Sequence, residues 1–128
     1  MNKKAKGSDA ERNLVHMFWN TKIWVAHRIA GSGSSKYPSP DLIASNNIRK
    51  LAIECKSSSK KIIYIPKNEI LQLQKFGEMF GAEVWLAFKF LKEEWLFTTI
   101  DNMKETNSSY CIKKEEIKQN GLLFEELI

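Results

Sequence analysis

Residues 62–90 alternate between strand and helix patterns, and this alternation constrains the fold more than any other feature of the chain. The run at 62–65 is β-branched and aromatic, which is typical of a strand. Pro66 suits a first helical position, which needs no N–H donor, and Gly81 suits the left-handed conformation that ends a helix. Apolar residues recur between them at helical spacing: Ile70, Leu73, Phe76 and Phe80. A second strand pattern follows at 83–90, so a helix and a sheet must pack together.

The N-terminal half predicts one helix and one strand hairpin. Ser8 and Glu11 have the spacing of a capping box, in which each side chain pairs with a backbone N–H at the start of a helix. A helix is therefore predicted at about residues 9–20. Apolar runs at 42–45 and 51–56 are separated by an Asn-Asn turn, which predicts two antiparallel strands.

Further strands are predicted at 23–26 and 95–100, whereas the signal after Asp101 is weak. The order of one helix, four strands, one helix and two strands predicts an α/β fold with a mixed sheet flanked by helices. A chain of 128 residues, 43% of them hydrophobic, has the size of one domain and enough apolar side chains for a packed core. We therefore expect a single domain over residues 1–128.

Composition excludes several classes of protein. The longest apolar stretches fall far short of the roughly 20 residues that span a bilayer, and no apolar signal segment follows the lysine-rich N-terminus. Cys55 and Cys111 belong to no Cys-x-x-Cys or Cys/His cluster, so we expect no zinc site and a reducing environment. The sequence predicts an intracellular, cytoplasmic protein without membrane attachment or a small-molecule cofactor.

Charge is distributed unevenly along the chain. Residues 1–64 contain 12 Lys or Arg against 4 Asp or Glu, a net charge of +8, whereas residues 65–128 contain 8 against 11, a net charge of −3. A positive field of this kind favours a polyanion such as nucleic acid. A lysine-rich surface without such a partner has the same composition, so charge alone does not decide.

Three charged residues of the predicted hairpin form a candidate catalytic site. Glu54 and Lys56 project from the same face of one strand, and Asp41 begins the partner strand, near Glu54. Two neighbouring carboxylates repel each other unless a cation lies between them, and Mg²⁺ prefers such oxygen ligands, with Mn²⁺ as a substitute. With Lys56 beside the metal, the arrangement suits hydrolysis of a phosphodiester. The same residues also fit a structural interpretation, an exposed ion pair and a turn aspartate.

These motifs, taken in order, resemble those of archaeal-type Holliday junction resolvases, including versions carried by archaeal viruses. Pro40-Asp41, twelve further residues and Glu54-Cys55-Lys56 are similar to the signature of the PD-(D/E)xK nuclease superfamily, which has a restriction-endonuclease-like fold. The resemblance extends over about residues 6–90 and includes the segments at 6–13, 28–35 and 63–65. It implies a homodimer that resolves four-way DNA junctions by paired, metal-dependent cuts.

The resemblance also implies roles for individual residues. Asp41 and Glu54 would ligate the metal with the Cys55 carbonyl, Lys56 would assist the attacking water, and Glu11 would be an additional acid. Ser32, in a Gly/Ser loop at 29–37 expected to be mobile, would approach the scissile strand. Phosphate contacts would come from a flexible basic arm at 1–7 and from further basic residues: Lys3, Lys4, Lys6, Arg12, Arg28 and Lys36. Glu69 departs from the polar amide expected near the start of the second helix.

Two alternatives stay open on the sequence. One is a related nuclease of the same superfamily that cuts other branched, nicked or flapped DNA. The other is a non-catalytic, basic nucleic-acid-binding module whose acidic residues are structural. A viral origin would place the protein in the host cytoplasm.

The expected dimer needs an interface, and the late strands are rich in aromatic residues. Aromatic side chains are enriched in interface cores, so we expect the interface at Trp85, Phe88, Phe90, Trp95 and Phe97. If helices covered both faces of these strands, the same residues would belong to the core.

Overall fold

A computed structural model describes residues 3–31 and 36–128, with the backbone alone for residues 3–6. The helices are α1 (Lys3–Asn20), α2 (Lys67–Phe80), α3 (Lys114–Asn120) and α4 (Phe124–Leu127). The strands are β1 (Val25–Arg28), β2 (Leu42–Ser45), β3 (Lys50–Ser58), β4 (Ile62–Pro66), β5 (Glu83–Phe90), β6 (Leu96–Thr98), β7 (Lys104–Glu105) and β8 (Ser109–Lys113). Among the described residues, no helix has the length and hydropathy needed to cross a membrane.

Five strands form the main sheet, in the order β1-β2-β3-β5-β6. β3 and β5 are parallel and every other neighbouring pair is antiparallel, so the predicted mixed sheet is present. The predicted hairpin is confirmed, since β2 pairs with β3 with Leu42 opposite Ile53. The Asn46 side chain closes the turn by accepting hydrogen bonds from the N–H groups of Ile48 and Arg49.

The prediction of one sheet is wrong for β4. This strand pairs with β8, and β8 pairs with β7, to form a second sheet of three antiparallel strands. β7 and β8 lie in the weakly patterned segment after Asp101. Local sequence identifies a strand at residues 62–66 but not its partner, because pairing over a long separation depends on the packing of the whole chain.

Both faces of the main sheet are covered, and each has its own hydrophobic core. α1 and α4 pack on one face, where Phe18 and Phe124 meet Ile53. α2, α3 and the second sheet pack on the other face, where Ile70 meets Ala52. Successive side chains of β3 therefore enter different cores, as expected for a strand that is buried on both sides.

α1 begins at Lys3 rather than at residue 9, so the predicted capping box is wrong. Ser8 lies inside the helix, where its Oγ accepts a hydrogen bond from Arg28 Nη2 at 3.3 Å. Glu11 accepts a hydrogen bond from Arg28 Nε at 3.1 Å. The two side chains bind a residue of β1, a tertiary contact that a local pattern cannot distinguish from a helix cap. Residues 3–7, predicted as a flexible arm, belong to the first turns of α1.

The predicted dimer interface on β5 and β6 is also wrong. Phe88 and Phe97 are completely buried, and Phe90 and Trp95 are 1% and 3% exposed. Trp85 packs against the core between the sheet and α1. These residues fill both cores because helices cover both faces of the strands that carry them. Their number indicates a sheet buried on two sides, not an exposed aromatic surface.

Candidate active site

Asp41 lies immediately before β2 and is held against β3. Its N–H donates to the carbonyl of Ile53 at 3.1 Å, and its Oδ2 accepts a hydrogen bond from the N–H of Cys55 at 2.9 Å. Its own carbonyl accepts a hydrogen bond from the N–H of Ile29 at 2.9 Å. The hairpin register therefore brings the Asp41 carboxyl group beside Glu54, as the sequence predicts.

Glu54 occupies a protected position near the middle of β3, with its side chain 15% exposed. Burial raises the pKa of this carboxyl group to about 8, with a further increase from the negative charge of Asp41. The positive charge of Lys56 opposes this increase, while Glu69 adds to it. Without a cation, the site therefore holds a proton on Glu54 near neutral pH.

Lys56 lies between two carboxylates. Its Nζ is 3.9 Å from Glu54 Oε2 and 3.3 Å from Glu69 Oε1, and its side chain is 28% exposed. The spacing of two residues along β3 accounts for the contact with Glu54, and the start of α2 supplies Glu69. The ammonium group is thus held at the edge of the site and reachable from solvent.

Glu11 joins the same cluster from α1. Burial raises its pKa, an effect that the hydrogen bond from Arg28 opposes and the negative charge of Asp41 increases. Asp41 and Glu11 also both raise the pKa of the Cys55 thiol, after the larger effect of burial. Three elements, α1, the start of β2 and β3, therefore direct acidic groups at one region.

Cys55 itself packs against the core between the sheet and α1, where its side chain acts as a small apolar group. Because burial raises the pKa of its thiol well above the usual value, the sulfur is a poor metal ligand. Any ligand from this residue would be its backbone carbonyl.

The donor set fits Mg²⁺ better than a transition metal. Within residues 3–31 and 36–128, no group of three or more His, Cys, Asp or Glu is arranged to hold a metal ion, so a closed protein cage is absent there. Mg²⁺ does not require one, since it binds through one or two carboxylates and completes its shell with water and substrate phosphate. Asp41 and Glu54 supply two carboxyl groups whose mutual repulsion a cation would relieve.

The residues predicted to bind phosphate have different surroundings. Arg12 is exposed and pairs with Asp9 at 3.0 Å, whereas Arg28 is half-buried and pairs with Glu11. Lys36 is exposed. Ser32 and the side chains of Lys3, Lys4 and Lys6 lie outside the described part of the structure.

A groove with a volume of about 690 Å³ adjoins the site and includes Lys56 in its lining. Two further lysines, Lys60 and Lys89, line it, together with the Ser57-Ser58-Ser59 segment and Tyr64. No Asp or Glu occurs among the described residues of this lining. We call it the lysine groove.

A model of the archaeal Holliday junction resolvase family, Hjc, matches residues 2–128. The chain belongs to this family. It is 35% identical to the crossover junction endodeoxyribonuclease Hjc of Archaeoglobus fulgidus over 124 residues, which cover 97% of this chain and 90% of that protein. It is 37% identical to the enzyme of the same name from Methanocaldococcus jannaschii over 126 residues, 98% of this chain and 89% of that protein.

The fold agrees with this assignment. A solved structure of Archaeoglobus fulgidus Hjc, a Holliday junction resolvase, matches with a TM-score of 0.85 at 33% identity, covering 93% of this chain and 95% of that one. The predicted family and fold class are confirmed. The family model also matches the segment after Asp101, where the sequence resemblance is weakest.

Beside the residues expected of a resolvase, the structure adds three to the neighbourhood of the site. Glu69, which the sequence marked only as a departure from an expected amide, contacts Lys56. Lys89 reaches the lysine groove from β5, with its Nζ directed at the carbonyls of Phe90 and Glu93. The alternation of exposed and buried residues along β4 predicts that Tyr64 is exposed, but the groove beside it forms only in the folded chain.

Proposed function

We propose that this resolvase family member is a structure-selective endodeoxyribonuclease that resolves four-way DNA junctions by paired hydrolysis of phosphodiesters inside the cell. One observation carries the proposal: the hairpin of β2 and β3 brings the carboxyl groups of Asp41 and Glu54 together with the Lys56 ammonium group. Membership of the resolvase family supports the choice of DNA shape.

We infer that Mg²⁺, with Mn²⁺ as a substitute, is held by Asp41, Glu54 and the Cys55 carbonyl, with Glu11 binding directly or through water. When bound, the ion would supply Lewis acidity at the scissile phosphate. The protein positions the ligands in advance. The Cys55 N–H orients the Asp41 carboxylate, and Arg28 orients Glu11.

Lys56 acts on the reacting groups themselves. Its ammonium group lies beside Glu54 and can stabilise the negative charge that develops on the phosphate during attack by water. Glu69 holds the ammonium group from its other side, which limits the positions that Nζ adopts. The partial burial of Lys56 strengthens this electrostatic effect relative to a solvated lysine.

Basic side chains outside the site would bind phosphates of the junction arms. We assign this role to Lys3, Lys4, Lys6, Arg12 and Lys36, and to Arg28 in addition to its contact with Glu11. Neutralisation of several phosphates releases counterions, so binding should weaken steeply with salt. Ser32 would approach the scissile strand.

The test compares three single variants with the wild-type protein. Asp41→Asn and Glu54→Gln keep the size of each side chain, and Asn at position 41 can still accept the Cys55 hydrogen bond, so the fold should be spared. Lys56→Met keeps the aliphatic stem. Each should slow junction cleavage by at least about 10²-fold, the scale expected for loss of one preorganised charge, with junction affinity largely kept.

The substrates and metal provide the controls. A fixed four-way junction, a linear duplex of the same sequence and a flapped duplex are incubated with Mg²⁺ or with EDTA, and nicks are mapped on each strand. We expect symmetric, paired nicks in the junction alone and only with Mg²⁺. Faster cutting of the flapped duplex would favour the related nuclease, and wild-type rates in all three variants would overturn the site assignment.

A further inference from the structure

We propose that the lysine groove binds DNA at the branch point and that Tyr64 provides a platform for an unstacked base of the junction. The proposal rests on resolvase activity and adds to it a residue that distinguishes branched from linear DNA. Its elements are an exposed aromatic ring, a basic lining and a direct connection with the catalytic lysine.

Tyr64 is the exposed aromatic residue of a strand that is otherwise half in the core. In β4, Ile63 and Ile65 are buried on the inner face, whereas Tyr64 on the outer face is 60% exposed. Its ring therefore contributes little to either core and is available to a ligand. The opposite residue on β8 is Cys111, whose side chain is small.

The lining of the groove suits a polyanion. Lys56, Lys60 and Lys89 line it, and its described residues include no carboxylate. The Ser57-Ser58-Ser59 segment adds three hydroxyl groups that can donate hydrogen bonds to phosphate oxygens. Ser58 Oγ accepts a hydrogen bond from the Lys60 N–H at 3.0 Å, which keeps the loop folded beside the groove.

Positive charge alone would bind any DNA, so selectivity for branched over linear DNA would come from the ring of Tyr64. In a linear duplex every internal base is covered by its neighbours, and an exposed tyrosine meets only sugar and phosphate. At a branch point, base pairs at the ends of the arms can lose a stacking neighbour and expose a face. Aromatic side chains stack on exposed bases whatever their sequence. Leu91, 76% exposed and in the same lining, adds apolar surface to this platform.

The lysine groove shares Lys56 with the candidate active site, which links the proposed base contact to cleavage. Because Lys56 lines the same groove as Tyr64, a strand bound in the groove would lie against Lys56. A base held on Tyr64 would place the phosphates next to the branch point beside Lys56. Recognition of the branch and choice of the scissile phosphate would then be coupled.

Two substitutions at one position separate the ring from its hydroxyl group. Tyr64→Thr removes the ring but keeps a β-branched residue suited to β4, and Tyr64→Phe keeps the ring. Affinities for the four-way junction and the linear duplex are measured in EDTA, so that cleavage does not interfere. We expect Tyr64→Thr to weaken junction binding by about 5- to 100-fold, the scale of one base stacking on an aromatic ring. Duplex binding should be unchanged, and Tyr64→Phe should resemble the wild type.

Two control variants complete the experiment. Ile48→Thr removes another exposed apolar side chain, 88% exposed and outside the groove lining, and should leave both affinities unchanged. Lys60→Ala should weaken binding to both DNAs and reduce the slope of log affinity against log salt by about 0.9, because it removes one phosphate contact. Thermal unfolding of each variant checks that the fold is kept.

A probe in the DNA gives a reading that does not depend on the folding of a variant. With 2-aminopurine next to the branch point, binding of the wild-type protein or Tyr64→Phe should change its fluorescence, whereas a probe in the middle of an arm should not respond. An equal loss for junction and duplex in Tyr64→Thr, or a silent branch-point probe, would overturn the proposal. Because the wild type is assayed for junction cleavage in parallel, failure of the proposed function would appear separately, as an absence of paired nicks.

Discussion

At the scale of single residues, two glutamates show how different surroundings give the same type of side chain different roles. Glu83 is exposed and accepts hydrogen bonds from Arg49, which lower its pKa, so it is ionised and structural. Glu54 is buried beside Asp41, and burial raises its pKa to about 8. A carboxyl group in such a place takes up a proton unless a cation offsets the cost of its charge, and this is the role we propose for Mg²⁺.

The raised pKa of Glu54 predicts how the free energy of unfolding depends on pH. Because its pKa is raised on folding, its contribution to stability is fully present below pH 4.5 and is lost as pH rises through about 8. In metal-free protein, the free energy of unfolding should decrease between pH 5 and pH 8 by on the order of a few kcal/mol. Glu11, whose pKa is also raised, adds in the same direction. Urea denaturation in EDTA at several pH values measures the effect.

Metal and one substitution provide the controls for that measurement. Mg²⁺ should raise the melting temperature more at pH 8 than at pH 6, because a proton on Glu54 competes with the ion at the lower pH. Glu54→Gln should flatten the pH profile and reduce the response to Mg²⁺. A profile in Glu54→Gln as steep as that of the wild type would show that other groups cause the pH dependence.

At the scale of secondary-structure elements, α2 packs on β5 through a glycine. The sequence indicated an apolar face of Ile70, Leu73, Phe76 and Phe80, but the buried positions are Ile70, Leu73 and Gly77, and Phe80 is 44% exposed. A Cβ at Gly77 would lie 2.4 Å from Val84 Cγ2 and 3.2 Å from the Ala82 carbonyl. The close approach of this helix to the sheet therefore depends on the missing side chain, and it sets where α2 presents Glu69 to Lys56.

We therefore expect Gly77→Ala to destabilise the protein, by about 1–3 kcal/mol, since overpacking outweighs the better helix propensity of alanine. The matched control is Gly7→Ala in α1, where a Cβ would meet nothing within 4 Å and should stabilise by up to about 1 kcal/mol. Chemical denaturation measures both. Combining Gly77→Ala with Val84→Ala, which removes Cγ2, should recover part of the loss, and no recovery would count against this contact as the cause.

At the scale of the whole molecule, one chain contains one Asp41, Glu54 and Lys56 set, whereas resolution of a junction requires cuts in two strands. A two-fold pair of chains matches the symmetry of the substrate and supplies both sites. We propose that the protein acts as such a homodimer. The aromatic residues of β5 and β6 do not form its interface, because they are buried within each chain.

Sedimentation equilibrium tests this stoichiometry at micromolar concentration, for the free protein and for the protein on the four-way junction. We expect the mass of two 14.8 kDa chains for the free protein, and of two chains plus the junction for the complex. Mixing wild type with Glu54→Gln should give heterodimers that nick a single strand of the junction. A monomer under both conditions, or paired nicks from the heterodimers, would contradict the paired-site mechanism.

The sequence by itself determined the features that depend on neighbouring residues. The hairpin of β2 and β3, and with it the meeting of Asp41 and Glu54, follows from two apolar runs around an Asn-Asn turn, because a short connection fixes the pairing. Gly81 ends α2 with a φ of 75°, as its position predicted. These features need no information from distant parts of the chain.

Only the tertiary structure decided the features that depend on contacts between distant parts of the chain. Ser8 and Glu11 have the pattern of a helix cap but bind Arg28, since α1 continues to Lys3 and β1 lies alongside it. β4 leaves the main sheet for a partner in a segment with little pattern of its own, and the lysine groove forms next to it. A local pattern indicates which secondary structure a segment favours. The partner against which the segment packs depends on the burial of apolar surface over the whole chain, and a short stretch of sequence does not contain that information.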